Sequence, residues 1–533
     1  MERTIKRAII SVFDKTGVVD FAKQLHQEFG VEILSTGGTA KTLQDAGIPI
    51  VKISDFTGAP EMFDGRVKTL HPKIHGGILW RRNNEEDNKS AKQHGILPID
   101  LVCVNLYPFS KVIAKAETTF DEALEMIDIG GPTMIRASAK SFLDVTVICD
   151  PPYYDIVLQE MRTNKGATTY ETRKKLAQIV FSTMALYDAT VAHYLNKQMG
   201  GDPEFPETLV KLYKKVQSCR YGENWDQKAS IYQDVESIIG LADLKQLHGK
   251  EISFNNYLDI DACIQMMIDL GTDHYVCSIF KHATPNGAAI DYKTQLDATK
   301  RAFSTDPLSA FGGVWGFNKK VQKDVAEFIV KEKNIFVEVL IAPGFEPEAL
   351  EIFKTKKDIR IIDCGDILNR KDDVYKLKEM RSCLGGALVQ DYDCNPIIAS
   401  WDVKSKRPVS ESEKKALIFA YVVSKWAKSN SAAFAKEYDT GMYTLGIGAG
   451  QQSRVHVVKL AAQKAKEFGH DLVGSVMGTD SFFPFPDGLE AAAEHGCKAI
   501  LNPGGSIRDD LSIAKADELN ISLVFCGKRV FRH

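Results

Sequence analysis

Short apolar runs alternate with amphipathic segments along the first 200 residues of the chain. The runs predict buried strands at 8–13, 32–34, 50–53, 101–106 and 145–149. Between them, the spacing of apolar positions predicts helices over 18–29 and 39–46. Strands that alternate with helices predict an α/β fold with a doubly wound parallel sheet. Ligands bind such sheets beyond the carboxyl ends of the strands.

Beyond this region the pattern is less regular, with helices predicted over 410–428 and 454–468 and short strands between glycine-rich loops. A segment rich in glycine, proline and acidic residues at 200–207 is the best candidate for a linker. We therefore predict two domains, 1–200 and 201–533. The second is expected to be mixed α/β and to contain two subunits of structure, although the sequence itself shows no internal repeat.

The composition is that of an ordinary globular protein. The 533 residues include 44% hydrophobic and 26% charged positions, and 67 basic against 70 acidic side chains. A near-neutral charge argues against nucleic-acid binding through a large basic surface. No apolar run reaches the length of a membrane span, and the ten cysteines form no C-x-x-C pair. We expect a cytoplasmic protein without membrane or nucleic-acid partners.

Two loops in the first domain have the residues of a phosphate site. The predicted strand at 32–34 is followed by Ser35-Thr36-Gly37-Gly38-Thr39, and the strand at 8–13 is followed by Asp14-Lys15-Thr16-Gly17. Glycine amides, hydroxyls and a helix N-terminus together bind anions. The alternative is an ordinary turn that caps a helix. The two loops at one sheet edge leave these interpretations evenly balanced.

Three further segments carry groups suited to proton transfer. They contain Arg66-Val67-Lys68-Thr69, Asn105-Leu106-Tyr107, and Asp128-Ile129-Gly130 before a helix that carries Lys140. Lysine, tyrosine and aspartate at strand ends or helix starts can stabilise an oxyanion and relay a proton. Solvated surface charges are the alternative, because the spacing alone does not force these side chains together.

The same segments, in the same order, closely resemble the cyclohydrolase domain of the PurH family of bifunctional purine-biosynthesis enzymes. The resemblance implies a methylglyoxal-synthase-like fold and an intramolecular ring closure that forms inosine monophosphate (IMP). It implies Lys68 and Tyr107 as oxyanion stabilisers, and Asp128 with Lys140 as the proton-transfer pair. The residues implied to bind substrate are Ser11, Lys15, Thr16, Ser35, Thr36, Gly37, Gly38, Thr39, Arg66, Thr69, Asn105, Ile129 and Gly130.

In the second half, Lys281-His282 lies where an apolar strand, 275–280, runs into a Pro/Gly loop. A cation beside an imidazole keeps the neutral base available, which suits catalysis, although a histidine that caps a turn is equally compatible. Asn430 follows a predicted helix and is suited to orienting a reacting group. The glycine-rich segment 446–454 is a poor match to a dinucleotide site. The missing C-x-x-C ligands argue against a zinc deaminase.

This half resembles the formyltransferase domain of the same family, which acts on aminoimidazole-carboxamide ribonucleotide (AICAR). The resemblance implies a duplicated cytidine-deaminase-like fold without zinc, 10-formyltetrahydrofolate as co-substrate, no catalytic metal, and a homodimer whose transferase site is built from both subunits. It implies His282 as general base, Lys281 as charge stabiliser and Asn430 as orienting residue. The residues implied to bind AICAR are Arg220, Tyr221, Asn256, Arg454 and Arg529. Those implied near the folate are Asp306, Ser309, Phe311, Gly312, Gly313, Gln452, Asp480, Phe482, Phe483 and Pro484.

One departure from the family pattern concerns the segment Arg220-Tyr221-Gly222-Glu223-Asn224-Trp225-Asp226-Gln227. The family has a substrate-contacting histidine where this chain has Asp226, and a carboxylate near a nucleotide phosphate is repulsive. Three hypotheses follow: a bifunctional enzyme, a cyclohydrolase whose transferase half is impaired, and a nucleotide-sensing module without catalysis. The first is favoured because Lys281, His282 and Asn430 are all present.

Overall fold

The computed structural model describes residues 2–63, 65–115, 117–202, 204–235, 237–393 and 397–533. Asp64 in the Arg66 segment, Pro203 in the predicted linker and the cysteine at 394 lie outside these ranges. The chain divides into two compact units, Met1–Leu212 and Tyr213–His533. No helix within the described ranges is both long and apolar enough to cross a bilayer.

The first unit alternates strands and helices. Its strands are β1 (Arg3–Thr4), β2 (Arg7–Val12), β3 (Glu32–Ser35), β4 (Val51–Lys52), β5 (Leu101–Asn105), β6 (Thr146–Ile148) and β7 (Ala167–Thr168). Its α-helices are α1 (Val18–Phe29), α2 (Gly37–Asp45), α3 (Ile53–Thr57), α4 (Pro72–Leu79), α5 (Glu85–Gln93), α6 (Phe109–Ile113), α7 (Phe120–Glu125), α8 (Gly130–Lys140), α9 (Tyr154–Thr163) and α10 (Tyr170–Gln198).

The five predicted strands form one sheet in the order β4-β3-β2-β5-β6, and every pair in it is parallel. The predicted doubly wound parallel sheet is confirmed. The strand predicted at 50–53 is shorter, because helix α3 begins at Ile53, whose side chain is buried. Since all five strands are parallel, the loops that follow β2, β3 and β5 lie at the same edge.

The second unit is larger and has sixteen strands among its described residues. They are β8 (Tyr213–Cys219), β9 (Ala229–Asp234), β10 (Lys245–His248), β11 (Tyr275–Lys281), β12 (Thr284–Asp291), β13 (Gly313–Phe317), β14 (Val337–Ala342), β15 (Arg360–Asp363), β16 (Lys378–Cys383), β17 (Gly386–Asp391), β18 (Asp402–Val403), β19 (Ala432–Tyr438), β20 (Gly441–Gly448), β21 (Val476–Thr479), β22 (Ala499–Asn502) and β23 (Ser522–Phe525). Its α-helices are α11 (Phe254–Leu270), α12 (Gln295–Thr305), α13 (Pro307–Ala310), α14 (Lys323–Lys331), α15 (Pro347–Lys354), α16 (Lys371–Val374), α17 (Glu411–Trp426), α18 (Arg454–Glu467), α19 (Asp487–Ala493) and α20 (Asp509–Glu518).

Twelve of these strands form one sheet in the order β10-β15-β14-β13-β11-β12-β20-β19-β21-β22-β23-β18. The order α-β-β-α-β-α-β-α-β occurs twice, first from α11 to β15, where the short helix α13 is inserted before β13, and again from α17 to β23. The two copies meet at the antiparallel pair β12–β20. The duplication expected from the family resemblance is therefore present. It is invisible in the sequence because a fold needs only the pattern of buried positions to recur, not the residues.

Each copy buries apolar residues on both faces of the sheet. Side chains of α11 and α17 share one cluster, while α12, α14 and α15 pack on the opposite face of the first copy. Helices α18, α19 and α20 cover the corresponding face of the second copy. Two ribbons, β8–β9 and β16–β17, pair only with themselves. The sheet is thus a rigid support whose edges carry the loops with candidate chemistry.

Candidate functional sites

At the carboxyl edge of the first sheet, side chains join the loops that follow the strands. The Thr39 hydroxyl accepts from the Val12 amide at 3.0 Å and donates to the Val12 carbonyl at 2.9 Å. The Asn105 side chain accepts from the amides of Phe13 and Asp14 and donates to the Asp14 carbonyl. These bonds hold the loops after β2, β3 and β5 against one another.

The start of α2 has the features of an anion site. Its cap residue, Thr36, makes no side-chain bond to the first-turn amides in the described structure, and its hydroxyl instead donates to Glu61 at 2.9 Å. A Cβ placed on Gly37 would lie 3.8 Å from Lys68 Nζ, and one on Gly38 would lie 3.9 Å from Lys15 Nζ. Two ammonium groups therefore flank a helix N-terminus, and this combination attracts a phosphate.

Lys68, Tyr107 and Asp128 interact electrostatically at the same edge. Burial raises the pKa of the Asp128 carboxyl, while a hydrogen bond from the Gly131 amide at 2.9 Å and the charge of Lys68 oppose the rise. Burial and the negative charge of Asp128 raise the pKa of Tyr107, so the phenol keeps its proton. The arrangement joins a cation, a neutral phenol donor and a carboxylate that binds a proton more readily than usual.

Other predicted residues of this unit are placed differently. Arg66 pairs with Glu125, both side chains more than half exposed, instead of turning toward α2. Lys140 is the last residue of α8, roughly 15 Å along the helix axis from its first turn beside Asp128. The structure therefore does not bring Lys140 to Asp128 within one chain, because a helix separates them.

The remaining predicted residues of the first unit lie in or next to these loops. The Ser35 hydroxyl donates to the Ile10 carbonyl, and the Thr16 amide donates to the Asp14 side chain. Thr69 is buried beside Gly130. Ser11 lies near the end of β2, and Ile129 directly precedes α8.

In the second unit, β11 and β12 form a hairpin whose two turn residues are His282 and Ala283. Both have left-handed backbone conformations, with φ of 56° and 53°. The His282 side chain is exposed, and Lys281 Nζ donates to the Phe311 carbonyl at 2.8 Å. An exposed imidazole beside an ammonium group is free to meet a substrate.

The sheet explains why distant motifs gather beside this turn. Strand β13 pairs antiparallel with β11, so the Phe311-Gly312-Gly313 segment lies next to Lys281. Strand β20 pairs antiparallel with β12, so its end, which leads into the loop 449–453, lies next to the start of β12. Strands β19 and β21 extend the edge, with Ser431 and Asp480 hydrogen-bonded to each other. Residues far apart in sequence thus share one edge.

Asn430 and Arg454 form a cluster on this edge. Asn430 Nδ2 donates to the carbonyls of Gln451 and Gln452, at 2.7 and 3.3 Å, and Oδ1 accepts from Arg454 Nε at 3.3 Å. The Arg454 guanidinium lies 4.5 Å from the centroid of the Phe482 ring.

Burial lowers the pKa of Arg454, the Arg529 charge acts in the same direction, and Asp480 opposes them. Burial raises the pKa of Asp480 itself. Two arginines close enough to repel each other are suited to an anionic ligand.

Several residues implied to bind folate or AICAR already have structural partners. Asp306 is buried, caps α13 through Ser309, and pairs with Lys464 at 3.0 Å. Phe483 is 2% exposed and packs in the core, whereas Phe482 lies under Arg454 and Pro484 is partly exposed. Asn256 is buried in the capping box of α11. The structure thus brings Phe482, but not Phe483, to the surface of the site.

The loop 220–227 connects β8 to β9. Arg220 lies over the Tyr221 ring at 5.4 Å, and Asn255 of α11 donates to the Glu223 carbonyl. Asp226 is exposed, as is Trp225 at 88%. Within the described structure no hydrogen bond joins Arg220 or Tyr221 to Lys281 or His282.

One residue next to the hairpin escaped the sequence analysis. Asp259 of α11 accepts a hydrogen bond from the Ala283 amide at 2.5 Å. It lies 24 positions before the turn, on a helix whose neighbouring residues give no sign of a site, so only the fold reveals the contact. Among the described residues, no group of three or more histidine, cysteine, aspartate or glutamate side chains is arranged to hold a metal ion.

The fold and these loops define a two-part α/β protein with a methylglyoxal-synthase-like (MGS-like) domain followed by a duplicated mixed-sheet domain. The family model described as MGS-like domain matches residues 17–133. The model described as AICARFT/IMPCHase bienzyme matches residues 138–464, which is more than half of the chain. The chain belongs to the AICARFT/IMPCHase bienzyme family, whose members are formyltransferase/cyclohydrolase enzymes of purine biosynthesis.

A solved structure described as the crystal structure of ForH is also similar. It shares 36% sequence identity over 36% of this chain and 98% of that chain, with a TM-score of 0.32. A TM-score this low carries no inference about the fold.

Proposed function

We propose that the chain catalyses two consecutive reactions. It transfers a formyl group from 10-formyltetrahydrofolate to AICAR, and it then closes the formylated product to IMP with loss of water. The observation that carries the proposal is the convergence of Lys281, His282, Asn430 and Arg454 on one edge of the large sheet. The family membership supports the same pair of reactions.

In the transferase reaction, the AICAR amine attacks the formyl carbon while His282 removes a proton from the nitrogen. Lys281 stabilises the negative charge that develops on the formyl oxygen. Collapse of the intermediate breaks the bond to the folate nitrogen N10, which takes up a proton as tetrahydrofolate leaves. Arg454 and Arg529 supply positive charge for the nucleotide phosphate, and Asn430 fixes Arg454.

In the cyclohydrolase reaction, the carboxamide nitrogen attacks the formyl carbon of the same molecule. Holding both groups in one substrate removes much of the entropic barrier. Asp128 takes the proton from the nitrogen, and its raised pKa makes it a stronger base than an ordinary aspartate. Lys68 and Tyr107 donate to the oxyanion, and Asp128 then returns its proton to this oxygen. The C–O bond breaks, and the proton lost from the formylated nitrogen completes the water that leaves. Lys15 and the α2 N-terminus bind the phosphate.

A coupled assay of the purified protein tests the proposal. AICAR and 10-formyltetrahydrofolate are supplied together, and tetrahydrofolate and IMP are followed separately. We expect both products in equal amounts. If IMP forms only from added formyl-AICAR, the protein is a cyclohydrolase without transferase activity. If it binds nucleotide without any turnover, it is a sensing module, and the bifunctional proposal fails.

Asp226 predicts a specific defect in AICAR binding. Replacing this exposed carboxylate, as in Asp226→His, removes repulsion of the phosphate, and we expect the KM for AICAR to fall by up to about tenfold. The effect should shrink at high salt, because exposed charges are screened. Steady-state kinetics at two salt concentrations measure it. Glu223→Gln removes an equal charge from the same loop, and a matching fall in KM for this control would show that the position of Asp226 is irrelevant.

We further propose that the protein acts as a homodimer in which a second copy completes the transferase site. Arg220 and Tyr221 make no hydrogen bond to the hairpin of their own chain in the described structure, and the family resemblance implies that they contact AICAR. The β16–β17 ribbon also exposes Leu384 and Leu388, the latter at 66%. A two-stranded ribbon with exposed leucines is marginally stable alone. Sedimentation equilibrium should give a dimer at micromolar concentration, and a monomer would refute this arrangement.

A further inference from the structure

The hairpin turn that carries His282 is strained, and the strain is not required by the architecture. Both turn residues, His282 and Ala283, are left-handed although neither is glycine. The second copy of the fold contains the corresponding hairpin, with its turn between Tyr438 and Gly441. Among the described residues, that turn has no backbone with positive φ. The same two-strand connection is therefore made without strain elsewhere in the chain.

Strain at a single copy of a repeated element points to function, because unfavourable backbone conformations persist only where the surroundings hold them. A tight hairpin with both turn residues left-handed normally uses asparagine, aspartate or glycine. Here the turn instead carries an imidazole and an alanine. Something outside the hairpin must hold them in this conformation.

Asp259 is the group that holds the turn. Its Oδ1 accepts from the Ala283 amide at 2.5 Å, and the His282 amide is close enough to this carboxylate to lower its pKa. Hydrogen bonds to a charged acceptor are about twice as strong as neutral ones. Burial raises the pKa of the Asp259 carboxyl, while the hydrogen bond from the Ala283 amide and the neighbouring His282 and Lys281 side chains oppose the rise. Helix α11, which is packed into the core of the unit, thereby fixes the hairpin from one side.

We propose that Asp259 is a positioning residue for the formyl transfer, which anchors the left-handed turn and so fixes the His282 imidazole and the Lys281 ammonium. This inference rests on the proposed transferase function. The carboxylate acts as an acceptor for the backbone of the turn and takes no proton from the substrate. Removing the Asp259 carboxylate should make the His282 imidazole less well positioned while the imidazole itself stays in place.

The first test compares two substitutions in kinetics. Asp259→Ala removes the acceptor, and we expect kcat for formyl transfer to fall about 100-fold, with KM for AICAR and folate changed less than about threefold. Asp259→Asn keeps a side-chain oxygen and should stay within about fivefold of the original kcat. A wild-type kcat in Asp259→Ala, or an equally large loss in Asp259→Asn, would overturn the proposal.

A second substitution separates positioning from general damage. Glycine adopts a left-handed backbone without strain, so Ala283→Gly added to Asp259→Ala should recover about tenfold of the lost kcat. Absence of any recovery would count against the anchor. Asp261→Ala is the matched control, because it removes a partly buried carboxylate from the same helix, and within the described structure that carboxylate makes no hydrogen bond to the turn. A loss in this control equal to that of Asp259→Ala would also overturn the proposal.

Hydrogen exchange provides a measurement that does not depend on activity. The His282 and Ala283 amides should be protected in the wild type and should exchange at least about tenfold faster in Asp259→Ala. If the wild type transfers no formyl group, the proposed function fails, and exchange still decides whether Asp259 anchors the turn. Unchanged exchange in Asp259→Ala would refute the anchor even in an active enzyme.

Discussion

Replacing His282 with alanine should abolish formyl transfer and leave ring closure intact. The imidazole is the only exposed base at the turn among the described residues, and loss of a general base costs about 10²- to 10⁴-fold in rate. The cyclohydrolase residues belong to the other compact unit, so IMP formation from added formyl-AICAR should stay within about twofold. Initial rates of tetrahydrofolate release and of IMP formation measure the two effects separately.

The left-handed backbone at His282 makes a second variant necessary as a control. Its φ of 56° is tolerated better by asparagine than by alanine, so His282→Asn preserves the turn while it removes the basic nitrogen. Both variants should lose transfer equally. Transfer above about a tenth of the wild-type rate in His282→Asn would mean that the turn, and not the imidazole, matters.

Much of the first unit was predictable from sequence, because a buried parallel strand leaves a strong apolar signal. All five predicted strands joined one sheet, and the helix predicted at 18–29 has those bounds. The duplicated fold in the second unit came only from the family resemblance. Its buried positions recur from one copy to the other, but the residues that fill them do not.

The site residues also fall into those that the sequence could predict and those that only the fold reveals. Loop residues directly after a strand, such as Lys15 and Thr39, could be found from the sequence because strand ends define an edge. Asp259 could not, since its role depends on how α11 packs beside a hairpin 24 residues later. Phe483 could not be told from Phe482 in the sequence, because two adjacent aromatic residues look alike, but the fold buries Phe483 in the core and leaves Phe482 partly accessible beside Arg454.

The two candidate sites differ in the group that is proposed to accept the proton. In the first unit a partly buried carboxylate, Asp128, has a raised pKa and is the proposed base, with Lys68 as the nearby cation. In the second unit the proposed base is an imidazole, and the carboxylate Asp259 accepts from a backbone amide. Each site therefore pairs one proton acceptor with one lysine, and a change at either lysine should affect only one reaction.

The second large effect is expected at Lys68. Lys68→Ala removes a donor to the oxyanion of ring closure, and loss of one such donor costs about 10²- to 10³-fold in kcat, or about 2.7–4 kcal/mol. The same change also removes a charge that opposes the rise in the pKa of Asp128, so the pKa of this carboxyl should rise further. Formyl transfer should be unchanged. The measurement is IMP formation from added formyl-AICAR, with tetrahydrofolate release assayed on the same preparation.

Lys15 provides the matched control for Lys68, since both ammonium groups flank the start of α2. Lys15 is assigned to the phosphate, which does not change during ring closure, so Lys15→Ala should raise KM for formyl-AICAR and leave kcat nearly constant. Lys68→Ala should instead lower kcat. If both variants changed only KM, Lys68 would be a second phosphate ligand. Ring closure would then depend on Tyr107 and Asp128 alone, which contradicts the mechanism proposed for the first unit.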